Sequence, residues 1–389
     1  MTADHLDQII DASDLKTPAF VFLEDRLLEN CTNLRRITDA IEARPLYSLK
    51  ALSLPALLPA MAKLLDGFSA SSLFEARLAR EAGGKTSAVH LASPVLRPQE
   101  VPSLAALCDV INLNSLGQLQ RYGEILAPHV ELGLRINPGL SVAGDPRYDP
   151  CVAPSRLGVP LDAVQAFIAT NPVGAARLRG LHIHTNCESE DFNQLYETVG
   201  RLISILRQLG PDIAWVNLGG GYYFPDTDVP EALQAAVALL RQVNPALAIY
   251  LEPGTAIAQD AGVLVTTVLD IIEQSPTPLL ILDTTINHLP EVFDYRYMPV
   301  VHGARDDGRY RYRLTGCSCL AGDVFGDCRF ASPLKVGSRV CLMEAGSYSL
   351  VKANMFNGIP APQVYLVKAD GSRVIFDAPS YEKWTGLYA

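Results

Sequence analysis

The stretch at residues 45–50 reads Pro-Leu-Tyr-Ser-Leu-Lys, an apolar run that ends in a lysine. A short apolar run of this kind is typical of a buried parallel strand, because both faces of such a strand are covered. Lys50 then lies at the carboxyl end of the strand. Moving an ammonium group out of water is costly, so this lysine either lies on the surface just past the strand or has a chemical task.

Further apolar runs follow Lys50 and alternate with stretches whose apolar residues recur at helical spacing. The alternation predicts an α/β fold, a TIM-type (β/α)8 barrel whose active site collects at the carboxyl ends of its strands. A doubly wound parallel sheet is the alternative, and the run Gly219-Gly220-Gly221 taken alone favours it. The further runs are 88–91, 110–113, 132–136, 181–184, 214–218 and 248–251.

The pattern changes after about residue 260, where strand-like runs replace the alternation. Residues 17–23 are also strand-like. We therefore expect residues 1–30 to be an N-terminal segment that joins a β-domain, residues 31–260 to form the barrel, and residues 261–389 to form a C-terminal all-β domain of Greek-key or barrel-like form. The late runs are 263–268, 279–282, 310–314, 339–342 and 364–367.

The composition disfavours several classes of function. The chain has 42 Asp and Glu against 32 Lys and Arg, so its net charge of -10 disfavours a nucleic-acid partner and permits a cationic substrate. The eight cysteines form no CxxC pair, which fits a reducing compartment better than a disulfide framework or a zinc site. The first residues lack the pattern of a secretion leader, and no apolar run is long enough for a membrane span. We expect a soluble, cytoplasmic protein without a metal.

The ends of other predicted strands carry residues that suit a chemical role for Lys50. Desolvation and neighbouring charge make a lysine nucleophilic, which suits a Schiff base with an aldehyde cofactor such as pyridoxal phosphate. That cofactor needs a carboxylate at its pyridine nitrogen, for which Glu252 is the candidate, and a phosphate cradle, for which the backbone of Gly219-Gly220-Gly221 is the candidate. His182 and His184 are two apart on a predicted strand, so one can lie over the ring while the other packs. A single histidine on a strand is more often a buried side chain of the core than a functional residue.

The predicted β-domain supplies three more candidates. Cys319 and Asp323 lie in a loop of small residues, where Cys319 is either an inert buried thiol or a proton donor. Tyr348 has a hydroxyl that can reach a phosphate oxygen, although tyrosines on strands usually just pack.

Taken together, these residues resemble the fold-type III pyridoxal phosphate decarboxylases, the group that contains ornithine and diaminopimelate decarboxylases and has an alanine racemase-like barrel. The resemblance spans nearly the whole chain. Its markers are Leu49-Lys50-Ala51, Leu134-Arg135-Ile136-Asn137-Pro138-Gly139, Ser155-Arg156-Leu157-Gly158, Gly219-Gly220-Gly221, Glu252-Pro253-Gly254, Cys319 with Gly322-Asp323, and Tyr348 with Phe356-Asn357-Gly358.

Within that group, the chain is most similar to the carboxynorspermidine decarboxylases, which also accept carboxyspermidine. The narrower resemblance rests on Ala70-Ser71-Ser72-Leu73-Phe74-Glu75, on His182, His184, Cys187 and Glu188, on His288-Leu289-Pro290-Glu291-Val292, and on the run from Ser318 to Asp327.

The resemblance implies roles for particular residues. Lys50 carries the imine, and Cys319 or Lys50 returns a proton to the substrate. Pyridoxal 5'-phosphate is held by Lys50, His184, Gly219, Gly220, Gly221, Glu252, Gly254 and Tyr348. The substrate is bound by Glu291, Asp323, Asp283 and His288. Enzymes of this group place the Cys319 loop in the partner subunit's site, so a homodimer with shared active sites is implied.

Two departures from the group concern the substrate. The histidine segment commonly reads His-Asn-Leu-Cys-Glu, whereas here Thr185 and Asn186 follow His184. An acidic residue is expected after Glu-Pro-Gly, and Thr255 stands there. Glu291 remains an acidic candidate for the distal amine of the substrate.

The leading hypothesis is decarboxylation of carboxynorspermidine or carboxyspermidine to norspermidine or spermidine, within polyamine biosynthesis. The alternative is a decarboxylase or racemase of another cationic amino acid on the same scaffold, for example in specialised metabolism. A racemase needs a second base, for which the sequence offers no placed candidate. A third hypothesis, a non-catalytic cofactor-binding homologue, predicts a missing lysine or cysteine, yet Lys50 and Cys319 are both present.

Overall fold

The structure of the protein is a computed structural model that describes residues 3–10, 12–140, 143, 145–273, 276–376 and 378–387. The chain divides into two compact units, of which the first combines Met1–Leu27 with Ile257–Ala389 and the second is Leu28–Ala256. The boundaries at residues 30 and 260, and the Greek-key form of the β-domain, remain predictions.

The strands of the described residues are numbered along the chain. They are β1 (Ala19–Leu23), β2 (Arg44–Ser48), β3 (Gly67–Ala70), β4 (Ala88–Ala92), β5 (Val110–Leu113), β6 (Glu131–Asn137), β7 (Val159–Pro160), β8 (Leu178–His182), β9 (Trp215–Asn217), β10 (Ala248–Leu251), β11 (Gly262–Ile272), β12 (Leu279–Leu282), β13 (Tyr310–Thr315), β14 (Val324–Phe330), β15 (Arg339–Leu342), β16 (Gln363–Val367) and β17 (Arg373–Phe376).

The α-helices follow the same convention. They are α1 (Ala3–Ile10), α2 (Glu24–Ala40), α3 (Leu58–Met61), α4 (Leu73–Gly83), α5 (Val101–Leu107), α6 (Leu116–Leu126), α7 (Leu161–Thr170), α8 (Pro172–Ala175), α9 (Asn193–Leu209), α10 (Glu231–Val243), α11 (Thr255–Ala258), α12 (Pro290–Tyr295) and α13 (Tyr381–Thr385). Short 3-10 helices lie at Pro98–Glu100, Gln259–Ala261, Ile286–His288 and Phe356–Gly358.

The second unit is a closed parallel barrel. Its strands pair in the order β5-β4-β3-β2-β10-β9-β8-β6, with the two-residue β7 beside β6, and pairing of β5 with β6 closes the ring. Each of these pairings is parallel. The predicted (β/α)8 barrel is therefore confirmed, and the doubly wound sheet is excluded because such a sheet stays open. Closure brings the carboxyl ends of all eight strands to one face.

A tryptophan fills the barrel interior because two neighbouring strands carry glycine opposite it. A Cβ atom on Gly180 would lie 2.1 Å from the Trp215 ring, and one on Gly133 would lie 2.3 Å from it. The rings of Tyr250 and His90 pack against this indole, with centroids 6.3 and 5.9 Å away. The interior is thus a packed core, and chemistry is confined to the barrel's ends.

The first unit is built on a mixed sheet of eight strands in the order β14-β13-β12-β11-β1-β16-β17, with β15 also paired to β11. The first strand of the chain, β1, lies inside this sheet, antiparallel to β11 and parallel to β16. Leu6, Ile9 and Ile10 of α1 pack on buried residues of β1, β11 and β16. Within the described residues, no helix has the length and apolar character needed to cross a membrane.

Candidate active site

Lys50 lies just beyond the end of β2, where the backbone is held by two neighbouring strand ends. The N–H of Ser48 donates to the carbonyl of Pro253 at 2.9 Å, and the N–H of Leu49 donates to the carbonyl of Ser69 at 3.0 Å. Gly254 lies against this segment, since a Cβ atom there would be 2.9 Å from the Cβ of Ala51. The segments of Lys50 and Glu252 are therefore packed together at the carboxyl face of the barrel.

Glu252 follows β10 and is only 7% exposed. Its Oε1 accepts a hydrogen bond from Nδ2 of Asn217 at 2.8 Å. Its Oε2 lies 3.3 Å from Nε2 of His182, which is 1% exposed. Both oxygens of this buried carboxylate thus have polar partners, as burial of a charge requires.

The environment keeps Glu252 ionised. Burial alone would raise the pKa of Glu252, but the electrostatic interaction and hydrogen bond with His182, followed by interactions with His90 and Lys50, outweigh burial and lower the pKa well below its ordinary value. Burial lowers the pKa of His182, and its Nδ1 has no partner among the described residues. We therefore assign a neutral His182 that donates its Nε2–H to the carboxylate.

His184 is fixed in its neutral form by the glycine run. The N–H of Gly220 donates to Nδ1 of His184 at 3.1 Å, so that nitrogen carries no proton and Nε2 does. Burial, with the positive charges of Lys50 and Arg135, lowers the pKa of His184 well below its ordinary value. The half-buried ring stays uncharged and is available for stacking.

The three glycines leave no room for side chains. A Cβ atom would lie 2.2 Å from the carbonyl of Ile183 at Gly219, 2.2 Å from that of Glu252 at Gly220, and 2.2 Å from that of Asn186 at Gly221. Gly219 and Gly221 also have positive φ, 70° and 92°, which glycine adopts most readily. The run therefore packs directly on the ends of β8 and β10.

The donors of the glycine run differ from the expectation that all three N–H groups are free for phosphate. The N–H of Gly219 donates to Oδ1 of Asn217 at 2.9 Å and that of Gly220 to His184. The N–H of Gly221 has no acceptor within the part of the chain that the structure describes. Gly221 is thus the member of the run with an uncommitted donor.

Lys50 is exposed in the structure, two residues beyond the carboxyl end of β2. Desolvation lowers the pKa of Lys50, Glu252 opposes this, and Arg135 adds to it. A lowered pKa increases the fraction of neutral amine, which is the nucleophilic form.

In the first unit, a hydrogen-bond network is centred on Asp323, one of the predicted site residues. Its Oδ1 accepts from the N–H of Ile286 at 2.6 Å, and its Oδ2 accepts from the N–H and the hydroxyl of Ser318 at 2.9 and 2.5 Å. The N–H of exposed Cys319 donates to Oδ1 of Asn357 at 3.0 Å. Asp323 therefore shapes the loop that presents the Cys319 thiol.

Glu291 already has a cationic partner in the single chain. Its Oε1 accepts from Nζ of Lys352 at 2.8 Å. The same ammonium lies 5.9 Å from the ring centre of Tyr348, whose backbone has a positive φ of 51°. A substrate amine that bound Glu291 would compete with Lys352.

His288 and Asp283 are bonded within their unit. His288 is fully buried, with Nδ1 2.9 Å from the hydroxyl of Thr284, and burial lowers its pKa to about 4. Oδ1 of Asp283 accepts from the N–H of Thr267 at 2.9 Å. The substrate-binding roles of Glu291, Asp323, Asp283 and His288, and the cofactor role of Tyr348, remain predictions.

Sequence reasoning assigned no role to three polar residues of the barrel site. Asn217 bridges Glu252 and Gly219, and its place directly before the glycine run was the available signal. Glu75 accepts a hydrogen bond from the N–H of Ser71 at 2.6 Å, and the side chain of Ser72 caps the N-terminus of α4. The spacing Ser72-x-x-Glu75 is that of a capping box, which can be recognised in the sequence. Arg135 belongs to the Leu134–Gly139 motif, which by itself assigns it no role.

Comparisons with known proteins identify the family to which the chain belongs. The family described as "Pyridoxal-dependent decarboxylase, pyridoxal binding domain" matches residues 25–259. The chain therefore belongs to the pyridoxal-dependent decarboxylases, as the sequence predicted, and is an enzyme of the carboxy-lyase type.

Particular relatives lie within that family. The chain is 38% identical to carboxyaminopropylagmatine decarboxylase of Synechocystis sp., over 96% of this chain and 95% of the relative. It is 33% identical to carboxynorspermidine/carboxyspermidine decarboxylase of Herminiimonas arsenicoxydans, over 92% and 95%. The crystal structure of carboxynorspermidine decarboxylase from Campylobacter jejuni complexed with norspermidine matches with a TM-score of 0.84 and 27% identity, over 96% of this chain and all of that one.

Proposed function

We propose that the protein decarboxylates a carboxylated polyamine precursor, with pyridoxal 5'-phosphate held at the carboxyl face of the barrel. The observation that carries the proposal is the buried Glu252 carboxylate, kept ionised by His182 and Asn217 beside the Lys50 segment. The donor set fits the cofactor: an amine for its aldehyde, a carboxylate for its ring nitrogen and a neutral imidazole for its ring face. The crowded glycine run, where a Cβ atom cannot fit, suits close approach of a phosphate to backbone.

Each residue of the site has its own role in the proposed reaction. When bound, pyridoxal phosphate supplies an electron sink for the electron pair that remains as CO2 leaves. Lys50 would hold the cofactor through its side-chain amine. Glu252 keeps a proton on the ring nitrogen, which requires Glu252 itself to stay ionised. Lys50 or Cys319 then returns a proton to the α-carbon.

The leading substrates are carboxynorspermidine and carboxyspermidine, which would place the enzyme in polyamine biosynthesis. Support comes from the relative at 33% identity and from the solved structure at 27% identity, both named for these substrates. The acidic net charge of -10 suits a cationic substrate.

Carboxyaminopropylagmatine is the second candidate, favoured by the relative at 38% identity. It differs from the first two in ending in a guanidinium group rather than an ammonium group. A planar guanidinium can form paired hydrogen bonds with a carboxylate, whereas an ammonium acts as a compact charge. Glu291 is the predicted acidic partner for either group.

Mass-spectrometric turnover assays with added pyridoxal phosphate distinguish the candidates. Carboxynorspermidine, carboxyspermidine, carboxyaminopropylagmatine, diaminopimelate and ornithine are offered separately. Rapid CO2 loss from one of the first three compounds supports the proposal. Turnover of diaminopimelate or ornithine alone would replace the substrate class and keep the reaction type.

Replacing Lys50 tests the chemistry itself. Lys50→Ala should lose both turnover and covalent attachment of the cofactor, because no other residue is proposed to supply the amine. Lys63→Ala, which changes an exposed lysine of the same unit, should leave both intact. Decarboxylation by pure Lys50→Ala protein at the wild-type rate would refute the assignment.

We also propose a cytoplasmic homodimer in which the Cys319 loop completes the partner's site. Sedimentation measures the dimer directly. If sites are shared, mixing Lys50→Ala with Cys319→Ala protein should restore part of the activity that each variant lacks. Absence of recovery in a mixture that exchanges subunits would contradict shared sites.

A further inference from the structure

A recess of about 540 Å³ lies at the amino-terminal face of the barrel, opposite the face that carries Lys50 and Glu252. Its lining includes Ala88 and Glu131, the first residues of β4 and β6, and Asp109, which directly precedes β5. Because the barrel strands are parallel, their amino ends meet at one face and their carboxyl ends at the other. The recess therefore belongs to neither the cofactor site nor the substrate site described above.

The floor of the recess is buried. Val110, Tyr250 and His90 line it and are 4%, 9% and 1% exposed. Nδ1 of His90 has no hydrogen-bond partner among the residues that the structure describes. A buried polar atom without a partner is uncommon in a folded protein and indicates a missing group, such as a ligand or an ordered water. The recess is thus more than a gap between exposed side chains.

Glu131 contributes an unbalanced negative charge to the recess. Its Oε2 accepts a hydrogen bond from Nε1 of Trp215 at 2.7 Å, whereas its Oε1 has no partner in the described part of the chain. The neighbouring carboxylate of Asp109 differs, because its Oδ2 accepts from Nη2 of Arg80 at 2.8 Å and from the N–H of Val89 at 2.8 Å. Asp109 is therefore neutralised by an arginine, and Glu131 is not.

Arg179 contributes an unbalanced positive charge to the same recess. The ladder of β6 and β8 shifts register between Leu132 and Gly133, so that Arg179 is an extra residue on β8. An extra residue of this kind redirects a side chain out of the regular ladder. Within the described ranges, the guanidinium of Arg179 forms no hydrogen bond or ion pair.

Two opposite charges on neighbouring strands, unpaired and beside a buried floor, fit a ligand that carries both charges. A simple anion would meet the carboxylate of Glu131, and a simple cation would meet the guanidinium of Arg179. A zwitterion satisfies both, because a carboxylate forms paired hydrogen bonds with a guanidinium and an ammonium binds a carboxylate. Oδ1 of Asp109, which no described residue contacts by a hydrogen bond, offers an acceptor for one further amine.

We propose that this recess binds a free α-amino acid, preferably one with an amine at the end of its side chain. Arg179 binds the α-carboxylate, Glu131 binds the α-ammonium, and Asp109 binds the distal amine. The site goes beyond the proposed function and does not depend on it, because the proposed cofactor site is at the opposite face of the barrel.

Calorimetric titration of the holoenzyme tests the site with four related compounds. L-Ornithine carries all three groups, L-norvaline lacks the distal amine, 5-aminopentanoate lacks the α-amine, and 1,4-diaminobutane lacks the carboxylate. Borohydride first reduces the link between the cofactor and Lys50, so that an added amine cannot exchange with it. L-Ornithine should bind saturably, L-norvaline about 10-fold more weakly, and the other two compounds about 10- to 100-fold more weakly.

Three variants assign the binding to the recess. Arg179→Met should weaken binding of L-ornithine by about 10- to 100-fold and remove its advantage over 1,4-diaminobutane. Glu131→Gln, which keeps an acceptor for Trp215, should remove the advantage of L-ornithine over 5-aminopentanoate. Arg207→Met, which changes an exposed arginine in the last turn of α9, should bind all four compounds as the wild type does.

The fluorescence of Trp215 reports where the ligand binds, because this indole donates to Glu131. In Trp384→Phe, Trp215 is the only tryptophan of the chain. Its emission should change on addition of L-ornithine, with the affinity that calorimetry gives. The inference would be overturned by a holoenzyme that binds none of the compounds saturably, by L-ornithine binding that Arg179→Met leaves unchanged, or by constant emission at saturation.

Discussion

Glu252 is held as a carboxylate by two neutral donors, the amide of Asn217 and the imidazole of His182. A cation in either place would neutralise the carboxylate before a ligand arrived. Neutral donors instead satisfy both oxygens and leave the negative charge available to a protonated ring nitrogen. The site therefore stabilises Glu252 without reducing its ability to stabilise a positive charge.

Replacing Glu252 by glutamine tests the importance of this charge. Glu252→Gln keeps the shape and removes the anion, so turnover should fall by about 10²-fold or more while the cofactor stays attached to Lys50. Steady-state rates and the visible absorbance of the bound cofactor measure the two effects. Glu197→Gln, which changes an exposed residue paired with Arg201, is the matched control. Equal rates in the two variants would contradict the role of Glu252.

The burial of His90 predicts how the free energy of unfolding changes with pH. Burial lowers the pKa of His90 to about 4 from an ordinary 6.5. The unfolded chain therefore binds the proton first as pH falls, so the stability contributed by neutral His90 is complete above pH 6.5 and is lost toward pH 4. The expected loss is about 1.4 kcal/mol of unfolding free energy per pH unit in this interval.

The pH effect is measured by denaturant unfolding of wild type and two variants between pH 4.5 and 7 (roughly the interval set by the linkage relation). His90→Phe should reduce the slope of unfolding free energy against pH. His129→Asn, at an exposed position, should retain the wild-type slope. Parallel curves for wild type and His90→Phe would show that another group dominates.

At the scale of the elements, sequence patterns located the barrel strands well and their ends less well. The strand predicted at 181–184 ends at His182, so His184 lies in the loop beyond it. The bend is possible because Gly219 has no side chain near the carbonyl of Ile183. The strand β3 was missed, since four residues that begin with glycine carry little periodicity.

The sequence predicted which strand ends carry the polar residues of the site but not their hydrogen bonds. Adjacent parallel strands bring Glu252 and the glycine run to one face once the barrel is inferred. The donation of two glycine N–H groups to Asn217 and His184 depends on side-chain rotamers, which no spacing rule reports.

Strands β6 and β8 depend on glycine where they face Trp215. Gly180→Ala would place a methyl group inside the indole, and overpacking of this kind costs about 1–3 kcal/mol. Gly200→Ala is the matched control in α9, where a Cβ atom meets nothing within 4 Å. That change should stabilise the helix by about 0.5–1 kcal/mol. Thermal or denaturant unfolding measures both, and equal shifts of the same sign would contradict the packing argument.

At the scale of the whole molecule, burial sorts the cysteines into two classes. Five are buried, and burial raises the pKa of each thiol to about 12. These five behave as small apolar side chains. Of the eight cysteines, Cys187, Cys317 and Cys319 have accessible surface in the single chain.

A thiol titration of the whole protein should follow this division. At most three cysteines should react quickly with an aromatic disulfide reagent in the native protein, and eight should react in guanidinium chloride, because a thiol must be ionised and accessible to attack. Peptide mass spectrometry identifies the labelled positions. Rapid native labelling of Cys31 or Cys341 would contradict the described packing.

The position of β1 has a consequence for the order in which the molecule is made. Residues 19–23 are translated before the barrel, but their parallel partner β16 begins at Gln363, after the whole barrel has been synthesised. The barrel strands can therefore pair during translation, whereas the apolar strand β1 waits for a partner that is translated only after the barrel. Long-range pairing of this kind is slow and leaves an unpaired edge exposed in the meantime. Nascent chains stalled before residue 363 should thus be the form of this protein that most needs a chaperone.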